Sequence, residues 1–528
     1  MSKEYSRREF VGDTARLAMG AMIIPRHVLR GRGYRAPSAT LNIACVGIGG
    51  MGMQNMKRLL GENIVAVCDV DFPYVERALA RELRPSQGAT APSADAEKLR
   101  DAYTKATKYA DFREMLDKQK DIDAVVIATP DHLHAVIAMA AMQLGKHVYV
   151  QKPLTYSVYE ARLLAKTAKS TGVVTQMGNQ GHSMEGTRRI NEIIAAGVLG
   201  PVREAHVWTD RPVRYWAQGI PRPVSAAPAA AAAAAPPIPA PAAATSAAQP
   251  AGPPPPPQWN MRTVDQAVLK AMAENPQSPP PGFNWDLFLG PAKEIPYHPA
   301  YHPFSWRGWV DFGVGAIGDM GAHLIDQVYW ALGLTYPTSI SGSSSPWGGG
   351  AQNPATYPLA TMVQYDFPER KADGRRLAQP PVKLYWYDGG LMPPRPPFLP
   401  DDITLPRGDG GGGVFIGSKG ILTYETYGNN PKVYPESVAQ AAEKVPKTFP
   451  RIEVPHEVNF AQACKGEAKA SASFDYSAAL TETMLLGIVA LRAGQGKKVL
   501  YDGANMQFTN APDANQYLTR EYRAGWAI

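Results

Sequence analysis

Asp319 and His323 lie four residues apart in the glycine-rich segment from Gly315 to Asp326, a spacing that puts both on one face of a helix. A carboxylate beside an imidazole can orient the ring and favour its protonated form, the arrangement a general base needs when it takes a hydroxyl proton. A satisfied structural Asp-His pair is the competing reading of the same spacing. A second group of residues with chemical potential is the turn Gly47, Ile48, Gly49, Gly50, Met51, Gly52, which follows the apolar run Leu41 to Val46 and opens a helical pattern through Leu60. In such a strand, turn and helix, Gly47 permits the tight turn, Gly49 lets the backbone approach a pyrophosphate and Gly52 lets helix and strand pack closely. The helix N-terminus attracts the phosphate charge. The next apolar run, Ile64 to Cys68, ends in Asp69, 22 residues after Gly47. A carboxylate there accepts the ribose hydroxyls of NAD and repels the 2′-phosphate of NADP, although Asp69 with Asp71 would also serve to cap the following helix.

These residues need elements to hold them. Further strand-like runs at Ala124 to Thr129, His147 to Val150 and Val173 to Gln176 alternate with helical patterns at Ala135 to Leu144 and Val158 to Ala168. Alternation of this kind predicts a doubly wound parallel sheet, whose ligands bind outside the carboxyl ends of the strands. Thr129 and Pro130, Gln151 and Lys152, and Gly178, Asn179 and Gln180 fall at those ends. The second unit begins with the alternating run Arg203 to Thr209, then an aromatic and polar tract from Phe283 to Trp309. Trp faces flanked by hydrogen-bonding groups suit sugar rings, and Tyr301, His302, Trp306 and Arg307 are the candidate substrate contacts; plain aromatic packing accounts for the same tract. Strand candidates at Ala360 to Phe367, Val382 to Tyr387 and Val414 to Tyr427, with a helix at Asp475 to Leu491, predict a largely antiparallel open sheet. The fold class is an α/β Rossmann domain over 41–178 followed by an α+β substrate and oligomerisation domain over 179–528.

With 528 residues, 45% hydrophobic and 19% charged, the chain is long enough for two or more domains and excludes disorder, collagen and a disulfide scaffold. The net charge of +7 is concentrated in residues 1–40, where eight Lys and Arg face three acids. The near-neutral remainder gives no footprint for nucleic acid or a membrane surface. Ser6-Arg7-Arg8-Glu9-Phe10-Val11 has the form of a twin-arginine export signal, with an ordinary basic tail as the alternative. Export machinery would then be a partner, and the location periplasmic, or cytoplasmic if the signal does not function. Between Pro221 and Gln258 there are 13 prolines and 16 alanines, a composition that builds no core and reads as a surface insertion. Three widely spaced cysteines predict neither disulfides nor a metal cluster, and no uninterrupted apolar run reaches 18 residues.

Taken in order, the glycine turn from Gly47 to Gly52, Asp69, the segment from Thr129 and Pro130 to His134, the Lys152-Pro153 step, Gly178-Asn179-Gln180 and Asp319-x-Gly321-x-His323 resemble the Gfo/Idh/MocA oxidoreductase family across roughly residues 41–528. The stretch from Trp285 to Trp330 resembles its exported bacterial branch. The resemblance implies hydride transfer between a nicotinamide and a sugar or polyol carbon, homo-oligomers built on the C-terminal sheet, and a cofactor site that includes His134, Gln151 and Lys152. By the same resemblance Lys152 is the active-site lysine, Asp319 the assisting carboxylate and His323 the proton-transfer histidine. One position departs from the family: its usual Glu-Lys-Pro is Gln151-Lys152-Pro153. If the chain works outside the cytoplasm, free NAD is scarce, and a tightly held nucleotide could be reduced and reoxidised in each cycle. Glycoside cleavage by transient oxidation and elimination is therefore a second reading, and a catalytically silent sugar-binding relative a third.

Overall fold

Six short strands assemble as one parallel sheet: β1 (Asn42–Val46), β2 (Asn63–Cys68), β3 (Thr107–Tyr109), β4 (Ala124–Ile127), β5 (His147–Gln151) and β6 (Thr175–Gly178), of which the edge strand β3 is polar and largely exposed. The order is β3-β2-β1-β4-β5-β6, with every neighbouring pair parallel. β1 and β4 are buried along nearly their whole length, as expected where helices cover both faces of a sheet. The strand order reverses between β1 and β4, which opens a crevice at the carboxyl ends of both. The computed structural model describes residues 40–223, 261–273, 278–408 and 410–528. The tract containing Arg7 and Arg8, and the Ala/Pro stretch from residue 224 onward, lie outside the described residues.

β6 starts two residues later than the apolar pattern suggests, because its pairing with β5 begins at Val148 opposite Thr175. Val173 stays in the connection that follows Gly172, where the preceding helix ends in a left-handed residue. That helix, Val158–Thr171, begins with a capping box in which Ser157 and Glu160 each satisfy the other's backbone N–H.

The second sheet has nine strands: β7 (Val202–Thr209), β8 (Ser339–Ser344), β9 (Thr361–Phe367), β10 (Val382–Tyr387), β11 (Gly411–Gly417), β12 (Ile421–Glu425), β13 (Asn429–Tyr434), β14 (Val499–Asp502) and β15 (Gln507–Phe508). Its order is β13-β12-β11-β7-β10-β9-β8-β14-β15, antiparallel throughout except where β10 runs parallel to β7. The run Val414 to Tyr427, expected as one strand, is a hairpin: Gly417 donates its N–H to Gly420 O and the chain reverses.

Two long helices, Gly315–Leu332 and Phe474–Ala493, pack on each other and on this sheet. Phe474–Ala493 is long and apolar enough to cross a membrane, yet 78% of its apolar window is buried inside the protein, so its hydrophobicity is accounted for by the core. The two units share one hydrophobic core, a continuous buried cluster that includes Val125 and Ile127 of the first and Leu324 and Leu384 of the second. Late segments also return to the first unit. Phe460, on the helix His456–Cys464, packs edge-on against Tyr149 of β5, and Trp526 packs against Phe112.

Candidate active site

The carboxyl ends of β1, β2, β4 and β5 open into a cavity of about 370 Å³ whose other wall comes from the second unit. Gly47 makes the first bend with φ +78°, a conformation L side chains rarely adopt, and a Cβ there would lie 2.7 Å from Thr129 N. Gly52 lets the helix Met51–Arg58 approach the turn, since its Cβ would come within 2.1 Å of Gly47 O. Gly47, Gly49, Gly50 and Met51 line the cavity, whereas Ile48 is fully buried beneath it. A Cβ on Gly50 would meet no protein atom within 4 Å, so that position is open space on the cavity side. The helix N-terminus at Met51 has no side-chain cap, which leaves its amides available to phosphate.

Asp69 closes this end. Its Oδ2 accepts the Ile48 N–H at 2.8 Å and its Oδ1 the Asp71 N–H at 2.9 Å, so the carboxylate ties the glycine turn to the end of β2. Burial pushes it up to about 6 against the pull of those two amides. Asp71, not Asp69, caps the helix Phe72–Glu82, accepting the Tyr74 N–H. Thr129 lines the cavity with a buried Oγ1 that has no protein partner. A glycine cradle, an acceptor at the ribose position and an unmet hydroxyl fit a dinucleotide.

At the other end stands a cluster drawn from both units. Lys152, just past β5, donates from Nζ to Asp319 O at 2.7 Å and to Asp319 Oδ1 at 2.8 Å. Arg307 Nε lies 3.3 Å from Asp319 Oδ1 and Arg211 Nε lies 3.6 Å from Oδ2. Burial alone would raise Asp319, but Lys152 first, then Arg307 and Arg211, hold it well below the ordinary carboxylate range. His323 follows one helical turn later and lines the same cavity, with Tyr427 edge-on to its ring at 4.7 Å. Its Nδ1 is buried without a hydrogen-bond partner. Burial, reinforced by the charge of Lys152, depresses His323 far below the usual histidine range and keeps it neutral.

The helix does bring Asp319 and His323 to one cavity, but the carboxylate bonds the lysine and not the imidazole. Asp319 therefore orients Lys152, and His323 stays the unprotonated ring the pair was expected to charge. The Thr129-to-His134 segment divides its work. Thr129 and Pro130 line the cavity, whereas His134 is buried with its ring nitrogens 2.8 Å from Pro153 O and 2.9 Å from Thr129 O, bracing the two strand ends. Asp131 Oδ2 accepts the Val314 N–H at 3.1 Å and so anchors the start of the helix that carries Asp319 and His323. His132 grips the same approach, with Nδ1 3.1 Å from Phe312 O.

Gln151 lines the cavity and donates to Asn55 Oδ1 at 2.9 Å, and Asn55 in turn donates to Glu457 Oε1 at 2.8 Å. An amide relay to a carboxylate from the second unit thus stands beside Lys152.

Among the expected substrate contacts, Trp306 and Arg307 line the reacting end. Tyr301 does not reach it: at 2% exposure it belongs to a separate aromatic core with Trp309 and Phe312. His302 lies at the nucleotide end instead, with Nε2 2.8 Å from Asp71 Oδ2 and its ring stacked on Phe283. Asn179 and Gln180 follow β6 outside the cavity lining, Asn179 fully buried. Arg211, Tyr215, Phe304, Tyr427 and Trp526 also line the cavity and had no local signal beyond residue type. Among the described residues, no three His, Cys, Asp or Glu gather where they could hold a metal ion.

Comparison with known proteins fits this geometry. Residues 41–179 match the family model described as an oxidoreductase family, NAD-binding Rossmann fold, and residues 259–344 match that family's C-terminal alpha/beta domain. The chain belongs to the Gfo/Idh/MocA oxidoreductase family. Curated relatives of this Gfo/Idh/MocA protein include a glycosyl hydrolase family 109 protein of Shewanella woodyi, 32% identical over 136 residues, 25% of this chain and 26% of that one. An inositol 2-dehydrogenase of Salmonella paratyphi B is 26% identical over 173 residues, 32% of this chain and 45% of that one. The matched segments span less than half the length of either relative. In fold, the WlbA dehydrogenase of Chromobacterium violaceum, solved with NADH and UDP-GlcNAcA, superposes with a TM-score of 0.50 at 14% identity, covering 88% of this chain and 96% of that one.

Proposed function

We propose that this Gfo/Idh/MocA protein oxidises or reduces a carbinol carbon of a sugar or polyol, with NAD rather than NADP as its nucleotide. The observation that carries this reading is the presence of Lys152, Asp319 and His323 on the same cavity as the glycine turn and Asp69. NAD, when bound, supplies the hydride acceptor or donor. His323, neutral and facing the cavity, takes the proton of the substrate hydroxyl, and the ionised Asp319 one turn away favours the imidazolium that results. Lys152 spends two of its three N–H donors on Asp319, which fixes the third for the substrate oxygen and for the negative charge that develops there. Tyr215, Phe304 and Trp306 give the reacting end apolar faces suited to the C–H face of a sugar ring. Asp69 as a ribose acceptor supports NAD over NADP.

The nucleotide end has walls from the second unit, His302 clasping Asp71 and Trp526 beside Phe112. This enclosure, with the Arg7-Arg8 motif, supports an exported protein that keeps its nucleotide through the cycle. The test is to purify the exported protein, denature it and count the nicotinamide nucleotide released. Near-stoichiometric NAD supports the self-recycling form, while an empty protein that binds NAD weakly removes it and leaves a dehydrogenase using free cofactor.

The likeness to a glycosyl hydrolase family 109 protein supports a second reading, glycoside cleavage through transient oxidation. Aryl glycosides separate the two, because release of the phenol without added NAD belongs to the second alone.

A further inference from the structure

The reacting end of the cavity carries more positive charge than its own carboxylates answer. Lys152, Arg211 and Arg307 have side chains only 13%, 14% and 20% exposed, and all three converge on Asp319. Of the other acids nearby, Asp210 accepts from Arg211 Nη1 at 2.8 Å but lies outside the cavity lining. Asp131 lines it, committed to the Val314 N–H, and burial pushes it up to about 7. Three part-buried cations answered only by Asp319 and the outlying Asp210 leave an excess of positive charge, which is costly unless another anion joins them.

Both guanidiniums are also held flat. Arg211 lies over the Tyr215 ring at 3.3 Å, and Arg307 lies over Trp306 at 4.2 Å and Phe304 at 4.4 Å. Arg307 Nη1 donates to Phe304 O, yet among the described residues neither Arg211 Nη2 nor Arg307 Nη2 donates to a protein acceptor. Two stacked, oriented guanidiniums with unspent N–H groups, flanking one carboxylate on a cavity wall, are a fork for a planar oxyanion.

We propose that the substrate bears an oxyanion next to the carbon that reacts, the carboxylate of a sugar acid, bound between Arg211 and Arg307. This rests on the oxidoreductase reading above and narrows its substrate class from neutral sugars and polyols to acidic ones. A sugar phosphate carries more charge, about −1.5 to −2 at pH 7, where the excess at this wall calls for about one, and its tetrahedral group fits two flat guanidiniums flanking Asp319 less closely than a planar carboxylate does.

The test uses the full-length protein saturated with NAD and two readouts, tryptophan fluorescence for binding and nicotinamide absorbance for turnover. The probes are glucuronate, galacturonate, mannuronate and gluconate, against glucose, galactose, mannose and glucose 6-phosphate. At least one acid should bind ten-fold or more tighter than its neutral counterpart, with the preference shrinking as salt is raised. Arg211→Gln and Arg307→Gln should each shrink the ratio of acid to neutral-sugar affinity ten-fold or more, whatever either does to the neutral sugar alone. Arg307→Lys, which keeps the charge and the fold but not the planar fork, should fall between. Equal binding of acids and neutral sugars, or an unchanged ratio in the variants, overturns the proposal. Tight glucose 6-phosphate with weak acids overturns the carboxylate assignment. A binding preference without nicotinamide reduction by any probe supports the anion site and counts against the oxidoreductase reading, so the two fail separately.

Discussion

The helix Gly315–Leu332 carries two aspartate-histidine arrangements, and they behave as opposites. At its start, Asp319 and His323 face the cavity, the carboxylate shared by three cations and the histidine Nδ1 without a partner. Two turns on, Asp326 is fully buried, with His182 Nδ1 3.0 Å from both of its oxygens and the Tyr476 hydroxyl donating to it. Trp330 stacks on the His182 ring at 4.2 Å. The second arrangement is the satisfied structural pair that competes with any catalytic reading of the first. Residue type does not distinguish them. What does is access to the cavity and bonding capacity left unspent, since a complete network rigidifies a core and an incomplete one at a cavity wall can act on a ligand.

The sharpest way to break this comparison is to truncate both histidine systems in the same assay. His323→Ala should lower kcat about 10²- to 10⁴-fold, the usual worth of a placed general base, with nucleotide affinity within two-fold. Turnover that survives the change would make the two pairs alike and remove the site assignment. Lys152→Ala should follow at about 10²- to 10³-fold in kcat, as for loss of a group that stabilises developing charge. Asp326→Ala should leave kcat per folded molecule unchanged and cost about 3 kcal/mol in denaturant unfolding, because His182 and Tyr476 lose a buried acceptor. A large kcat loss in Asp326→Ala without loss of stability would move it to the catalytic side of the comparison.

The two regions also differ in how much of them could be read along the chain. The strand, turn and helix around Gly47, the acid at Asp69 and the helical spacing of Asp319 and His323 are local patterns, and local physics enforces them. The partner of Asp319 is not local. Lys152 and Arg211 arrive from segments more than a hundred residues away, so the carboxylate orients lysine where neighbourhood alone suggests imidazole. His302 and Tyr301 are adjacent in an aromatic-rich tract, yet one reaches Asp71 across the nucleotide end and the other is sealed in a core. No composition signal separates them, because packing of the whole tract decides which ring faces inward. The hairpin is different, because it does carry a local signal: Gly417-Ser418-Lys419-Gly420 breaks the apolar pattern with turn-forming residues, and reading Val414 to Tyr427 as one strand passes over it.

The smallest expected effect concerns the nucleotide end, and its sign follows from Asp69. Burial raises this carboxyl from its ordinary 3.8 to about 6. In the nucleotide-free protein, folding therefore favours its protonated form, and that contribution, complete below 3.8, is lost as pH rises to about 6. Nucleotide binding runs the other way, because ribose hydroxyls donate to the ionised carboxylate. NAD affinity should thus be flat above pH 7 and fall as pH drops through 6, approaching ten-fold per unit below it. Asp69→Asn should abolish that slope and bind NAD weakly at every pH, measured by nucleotide titration at fixed ionic strength. A slope that persists in Asp69→Asn would assign the titration to another group and break the pairing of Asp69 with the ribose. At the reacting end His323 is already neutral and Asp319 already ionised across this window, which leaves Asp131, pushed up to about 7 by burial, as the group there that the Asp69→Asn comparison separates from Asp69.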